Sequence, residues 1–172
     1  AVRRGRLYAV LLAAAVSEPA IRTRFGCEVT GARPDGVVTY RSPDGSHHRL
    51  SADLVVGADG AASAVRTAGD FGPAVRGNRE TYVRGIVDGD DLGLDGEYWT
   101  ALGLFGGAPV GGGSTYFYAA AHAPEVATAL ERRDLAAFRQ VWVDALPGSA
   151  TVLDRVAHFD ALLVNDVTRV DC

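Results

Sequence analysis

Few residues of this chain combine a reactive type with a telling position, and Asp59 is the best placed of them. It follows the apolar run Leu54-Val55-Val56 by way of Gly57-Ala58 and is itself followed by Gly60. A continuous apolar run is expected of a strand buried on both faces of a parallel sheet. Open α/β sheets set their ligand crevices just beyond the carboxyl ends of such strands. A short carboxylate there can accept hydrogen bonds from sugar hydroxyls, and Gly60 lets a ligand come close to the backbone. Asp-Gly is also common in tight turns that bind nothing, which is the more ordinary reading of the pair alone.

Arginines and phenols supply the other candidates. Arg3, Arg4 and Arg6 stand before the first helical pattern, where each positive charge opposes the helix dipole by roughly 0.3–1 kcal/mol. A bound anion would account for them, as would solvation on an exposed turn. In the strand pattern Tyr116-Phe117-Tyr118 the two tyrosines share one face and Phe117 takes the other. One face is then expected to meet a flat apolar ligand, since a phenol joins an apolar body to a polar tip, although ordinary sheet packing would use the same residues. Arg84, on the preceding strand pattern, is a candidate for the anionic group of an aromatic substrate. Asp88-Gly-Asp90-Asp-Leu92-Gly93 looks like a calcium loop, but Leu92 replaces a ligand and no glutamate stands at the twelfth place. The two cysteines, Cys27 and Cys172, and the four histidines show no metal-ligand spacing, so no metal site is expected and the thiols are read as free.

The elements that must position these residues follow from periodicity. Leu7, Val10, Leu11, Ala14 and Ala15 mark one face of a helix, stopped by Glu18-Pro19. Strands are expected at Ile21–Phe25, Cys27–Ala32, Val37–Arg41 and His47–Leu50, separated by Pro34-Asp35-Gly36 and Ser42-Pro43-Asp44-Gly45 turns. Further strands are expected at Leu54–Val56, Thr81–Val87, Tyr98–Phe105, Ser114–Ala121 and Ala157–Val164. Gly111-Gly112-Gly113 reads as a hairpin. Asp134 reads as the N-cap of a helix over 134–146 that turns Leu135, Phe138, Val141, Trp142 and Leu146 to one side. Two domains are expected, 1–72 and 73–172, with the boundary between residues 68 and 78.

The 172 residues are 48% hydrophobic and 22% charged with a net charge of −4, the balance of an ordinary globular protein. The acidic pI near 5.5 argues against nucleic acid and anionic membrane surfaces as partners. No apolar run reaches the length of about 18 residues needed to span a bilayer. Leu7–Val16 behind its arginines has some character of a signal peptide, but Ser17-Glu18-Pro19 makes no small-residue cleavage site. A cytoplasmic location is expected. The chain contains no methionine, which reads as a piece of a longer polypeptide, and its richness in alanine, glycine, arginine and valine suggests a bacterial source.

Beyond the single pair, the whole stretch Asp53-Leu-Val-Val-Gly57-Ala-Asp59-Gly60-Ala-Ala-Ser63-Ala-Val65-Arg66 closely resembles the Asp-Gly motif of the para-hydroxybenzoate hydroxylase-like flavoprotein monooxygenases. Arg4-Gly-Arg-Leu7-Tyr-Ala-Val-Leu11 is similar to the Arg-x-x-Leu-x-x-x-Leu helix of the same family. The resemblance implies an α/β and α+β chain: an incomplete FAD-binding Rossmann-like domain of three-layer ββα type, joined to a mixed β-sheet substrate domain with helices on one face. It implies that Asp59, with Gly60, meets an FAD ribose and that Arg4 contacts the adenosine or pyrophosphate end. Tyr116 and Tyr118 would wall the cavity of an aromatic or polyketide-like substrate, with NAD(P)H as co-substrate. No catalytic side chain is assigned, because the flavin carries the chemistry. The family's G-x-G-x-x-G and later Gly-Asp motifs are absent from these residues, so the isolated chain is expected neither to hold FAD tightly nor to turn over. A reductase, dehydrogenase or halogenase of the same superfamily fits these motifs too, as does a truncated binding protein without catalysis. Oligomeric state is not legible.

Overall fold

Glycine and side-chain alternation set out most of the architecture. The computed structural model describes residues 1–69, 72 and 75–170. They divide into two compact units, Ala1–Val10 with Asn78–Val167, and Leu11–Gly77 with Thr168–Cys172. Helix α1, Arg4–Ser17, begins in the first unit and continues in the second.

The second unit holds an antiparallel meander of β1 (Glu28–Ala32), β2 (Val37–Arg41) and β3 (His47–Ser51), in that spatial order, followed by the short helix α2 (Ala64–Gly69). Gly36 at φ +79° and Gly45 at φ +84° make the two turns, a conformation that costs glycine nothing. Two expectations fail here. Ile21–Phe25 is irregular rather than a strand. Leu54–Val56 also forms no strand, and Leu54 and Val56 are 78% and 75% exposed. A parallel strand needs neighbours for its amides and carbonyls, and among the described residues none pairs with it. The apolar stripe of α1 is likewise left uncovered, with none of its residues buried.

The first unit is built on a five-stranded sheet in the order β5 (Gly96–Thr100), β6 (Gly103–Pro109), β7 (Ser114–Ala120), β4 (Arg76–Asp88), β8 (Leu163–Arg169). Strands β5, β6, β7 and β4 pair antiparallel. The expected strand Tyr98–Phe105 is in fact the hairpin of β5 and β6. Gly103 turns it at φ +111°, and the Thr100 hydroxyl accepts from the Leu102 amide at 3.1 Å. The β6–β7 hairpin is the expected one, with Gly111, Gly112 and Gly113 all at φ near +70°. Ala157–Val164 is not one strand: a 3-10 turn over Phe159–Ala161 precedes β8.

Helices α3 (Pro124–Glu131), α4 (Leu135–Ala145) and α5 (Ala150–Leu153) supply the core that meets one face of this sheet. The Asp134 carboxylate caps α4 by accepting from the Ala137 amide at 2.9 Å. Phe138 and Trp142 of α4 are fully buried, with Leu135, Val141 and Leu146 packed around the same core. Trp142 meets Phe105 of β6 with ring centroids 5.1 Å apart, and Phe105 stacks on Phe117 of β7 at 6.0 Å. Each such buried ring contributes on the order of 1.5–3 kcal/mol. Helix α3 was not foreseen, although Pro124 at its first turn with Glu125 beside it is a start signal. Among the described residues no helix is long and apolar enough to cross a membrane.

The cap gives a direct check. Asp134→Ala is expected to lower stability by about 1 kcal/mol, read as a lower urea midpoint at unchanged denaturant slope.

Candidate functional site

Alternation on β7 decides which side chains leave the core. Tyr116 and Tyr118 stand opposite Ile86 and Arg84 of β4 and opposite Ala108 and Gly106 of β6. Residues opposed across a ladder share a face, so these groups lie together on the face away from Phe117. A groove of about 720 Å³ opens beside them, lined by Arg3, Arg4, Arg84, Ile86, Tyr116 and Leu163 among others. The structure therefore brings together four of the residues singled out in the sequence: Arg3, Arg4, Arg84 and Tyr116. A neighbouring groove of about 300 Å³ shares Arg84 and Tyr116 and adds Tyr118, Tyr82, Leu104 and Val167.

Tyr118 is held in a way the sequence does not show. Its ring lies across the bare backbone of Gly106, where a Cβ would come within 2.4 Å of its Cζ. Its hydroxyl donates to the Glu97 carboxylate of β5, and its ring sits 5.8 Å from that of Tyr116 at 32°. Burial, and then the hydrogen bond and charge of Glu97, push its pKa up to about 12. Tyr118 thus stays protonated with its proton committed to Glu97, and what it offers a ligand is the ring. Glu97 escaped sequence reading because it faces Tyr118 only after two hairpins set Glu97 against Gly106 and Gly106 against Tyr118.

Asp59 and Gly60 belong to the second unit. The Asp59 carboxylate accepts from the amides of Ala64 and Val65 at 2.7 and 3.2 Å, capping α2. The Ser63 hydroxyl, together with these amides, holds it below the usual carboxylate range. Gly60 adopts φ +81° and its carbonyl accepts from the Ser63 amide at 3.2 Å, so the glycine is required by the turn. Gly57 is required by packing, since a Cβ there would lie 2.9 Å from Val65. Asp59 lines a groove of about 430 Å³ with Cys27, Glu28, Val29, Gly57 and Val65, whereas Gly60 does not reach it. Cys27 is a free, half-buried thiol, while Cys172 lies outside the described residues. A carboxylate has about four lone-pair positions, so capping α2 leaves Asp59 able to accept from a sugar hydroxyl. The remaining arginine of the motif, Arg66, serves the turn by donating to the Ala61 carbonyl at 2.5 Å.

Comparison with known proteins gives this arrangement a family. The model of the FAD binding domain family matches residues 2–91, which include both Arg4 and Asp59. The chain belongs to the FAD-binding domain family. The aurachin C monooxygenase/isomerase of Stigmatella aurantiaca is 37% identical over 129 residues, covering 72% of this chain and 32% of the relative. The tetrameric form of 2-methyl-3-hydroxypyridine-5-carboxylic acid oxygenase shares the fold at a TM-score of 0.72 and 23% identity, over 99% of this chain and 47% of that one. Klebsiella pneumoniae HpxO, solved with FAD and uric acid, superposes at a TM-score of 0.67 with 21% identity, over 98% of this chain and 43% of that one. The chain spans about a third of the aurachin relative and less than half of these solved structures.

The Tyr118–Glu97 pair can be observed directly. With tyrosine labelled at Cζ, the Tyr118 signal is expected to titrate at about 12 and to move part of the way toward the ordinary value near 10 in Glu97→Gln. Titration of Tyr118 near 10 in the unsubstituted protein would show that the pair does not form.

Proposed function

We propose that the chain is the central segment of an FAD- and NAD(P)H-dependent monooxygenase that hydroxylates an aromatic or polyketide-like small molecule. One observation carries the reading: Arg4, related by its motif to FAD, lines the same groove as Arg84 and Tyr116 on the open face of the sheet. A cofactor residue and substrate residues meeting in one apolar, cationic groove is what an enzyme needs if it works on a small molecule beside its flavin. The name of the aurachin relative favours oxygenation over the other reactions open to flavoproteins. In this reading residues 1–72 serve FAD and residues 73–172 serve the substrate, in a cytoplasmic bacterial enzyme.

The donor set fits the cofactor. Asp59 is an ionised acceptor suited to a ribose hydroxyl, and Arg4 is a guanidinium suited to the pyrophosphate or adenosine end. FAD, when bound, would supply electron transfer from NAD(P)H and the activation of dioxygen. The chain's own side chains do the positioning. Ile86, Val110 and Leu163 exclude water from an apolar body, Tyr116 and Tyr118 give it flat walls, and Arg84 holds an anionic substituent. No side chain of the groove is needed as a general base.

Flavin content tests the proposal. The full-length protein is expected to show flavin absorption bands as purified or after reconstitution, and Asp59→Ala and Arg4→Ala each to weaken FAD binding by about tenfold or more. A full-length protein that takes up no flavin would overturn the assignment.

A further inference from the structure

We propose that Ser114 is a positioning residue for the cofactor: it holds the Arg3 side chain, which fixes the start of α1 and thereby the place of Arg4 beside FAD. The inference rests on the reading of Arg4 as an FAD contact and adds the residues through which the five-stranded sheet sets that contact.

Left to its own residues, the start of α1 is poorly fixed. No acidic residue stands in its first turn and none of its residues is buried, while Arg4 and Arg6 put positive charge where the helix dipole is already positive. Neither burial nor electrostatics holds this end down. Arg3 occupies the N-cap position, its carbonyl accepting from the amides of Arg6 and Leu7 at 3.0 and 3.1 Å. A guanidinium has no acceptor with which to cap amides, so the side chain serves another purpose there. It donates to the Ser114 hydroxyl oxygen at 2.6 Å, across 111 residues of sequence. The residue that opens the helix thus also ties it to the sheet.

Ser114 makes a firm post. It is 1% exposed and stands opposite Asp88 at the end of the β4–β7 ladder. Its carbonyl accepts from the Val110 amide at 2.9 Å, and the neighbouring Gly113 carbonyl accepts from the Gly89 amide at 2.7 Å. The Thr115 hydroxyl donates to the Gly89 carbonyl, also at 2.7 Å. Arg4 directly follows Arg3, and with consecutive Cα atoms about 3.8 Å apart a shift of the cap passes almost whole to Arg4. Charge adds to the need for a tether. Arg3, Arg4 and Arg84 line one groove in which, among the described residues, no carboxylate is found, and like charges push the helix end away from the sheet. A binding group held within about 0.5 Å by its support performs better than the same group left loose.

The test is titration of the flavin-free full-length protein with FAD, followed by flavin fluorescence. Arg4→Ala is expected to weaken FAD binding about tenfold or more, and Ser114→Ala and Arg3→Ala each about fivefold. The double variant Arg3→Ala/Ser114→Ala is expected to be no weaker than either single one, because both changes remove the same bond. Placed on Arg4→Ala, the Ser114→Ala change is expected to alter the affinity by less than about twofold. A loss there as large as in the parent would show an effect that does not pass through Arg4, and would overturn the proposal. Arg3→Lys is expected to keep most of the affinity, since an ammonium can still donate to one hydroxyl. An Arg3→Lys loss as large as that of Arg3→Ala, with Ser114→Ala harmless, makes Arg3 a direct anion contact and overturns the positioning role. Arg3 is exposed, so its variants carry the test if Ser114→Ala fails to fold. Arg4→Ala binding FAD like wild type overturns the cofactor role of Arg4 and this proposal with it. Unchanged binding in Ser114→Ala and Arg3→Ala beside a weakened Arg4→Ala overturns the positioning role alone.

Discussion

Phe117 lies across Gly85, and the open face of the sheet depends on that contact. A Cβ at Gly85 would come within 2.4 Å of the Phe117 ring, so the glycine opposite it on β4 gives the ring room to reach the core. There it is fully buried and stacks on Phe105, which in turn meets Trp142. With Phe117 committed inward, the period of two along β7 turns Tyr116 and Tyr118 outward. A slip of one residue would expose Phe117 and bury both phenols, so the register is strongly specified.

A second glycine repeats the device on the opposite face. Gly106 leaves space for the Tyr118 ring, whose hydroxyl then reaches Glu97 on the edge strand. Two aromatics of one strand are thus each seated over a glycine of a neighbouring strand, Phe117 toward the core and Tyr118 toward the groove. The helices make one face dry and packed, and the other is left for polar tips and guanidinium groups. Arg84 and Tyr116 stand on paired strands rather than on a loop, which suits side chains whose main task is positioning.

What could be read from the sequence was local. The Asp134 cap, the Gly111–Gly113 hairpin and the alternation through Tyr116-Phe117-Tyr118 are each set by a few neighbouring residues, and each stands where it was expected. Glu97 was not legible, because its partner lies 21 residues away and meets it only through two strand registers. The break inside Tyr98–Phe105 was hidden because Ala101 and Leu102 carry no turn chemistry of their own, the turn being made by Gly103 and the Thr100 hydroxyl. Leu54–Val56 misled for the opposite reason: an apolar run predicts a buried strand only where neighbours bury it. At Asp59 the turn reading and the ligand reading prove compatible, since the carboxylate caps α2 and still lines a groove.

On the proposed reading, the face of the sheet bearing Arg84 and Tyr116 receives the small molecule. A crystal structure of the full-length protein with FAD and a bound aromatic ligand would decide this. Ligand density is expected on that face, in contact with Tyr116 and Arg84, with Phe117 buried behind the sheet. Density for the ligand elsewhere, with this face covered by polypeptide, would contradict it.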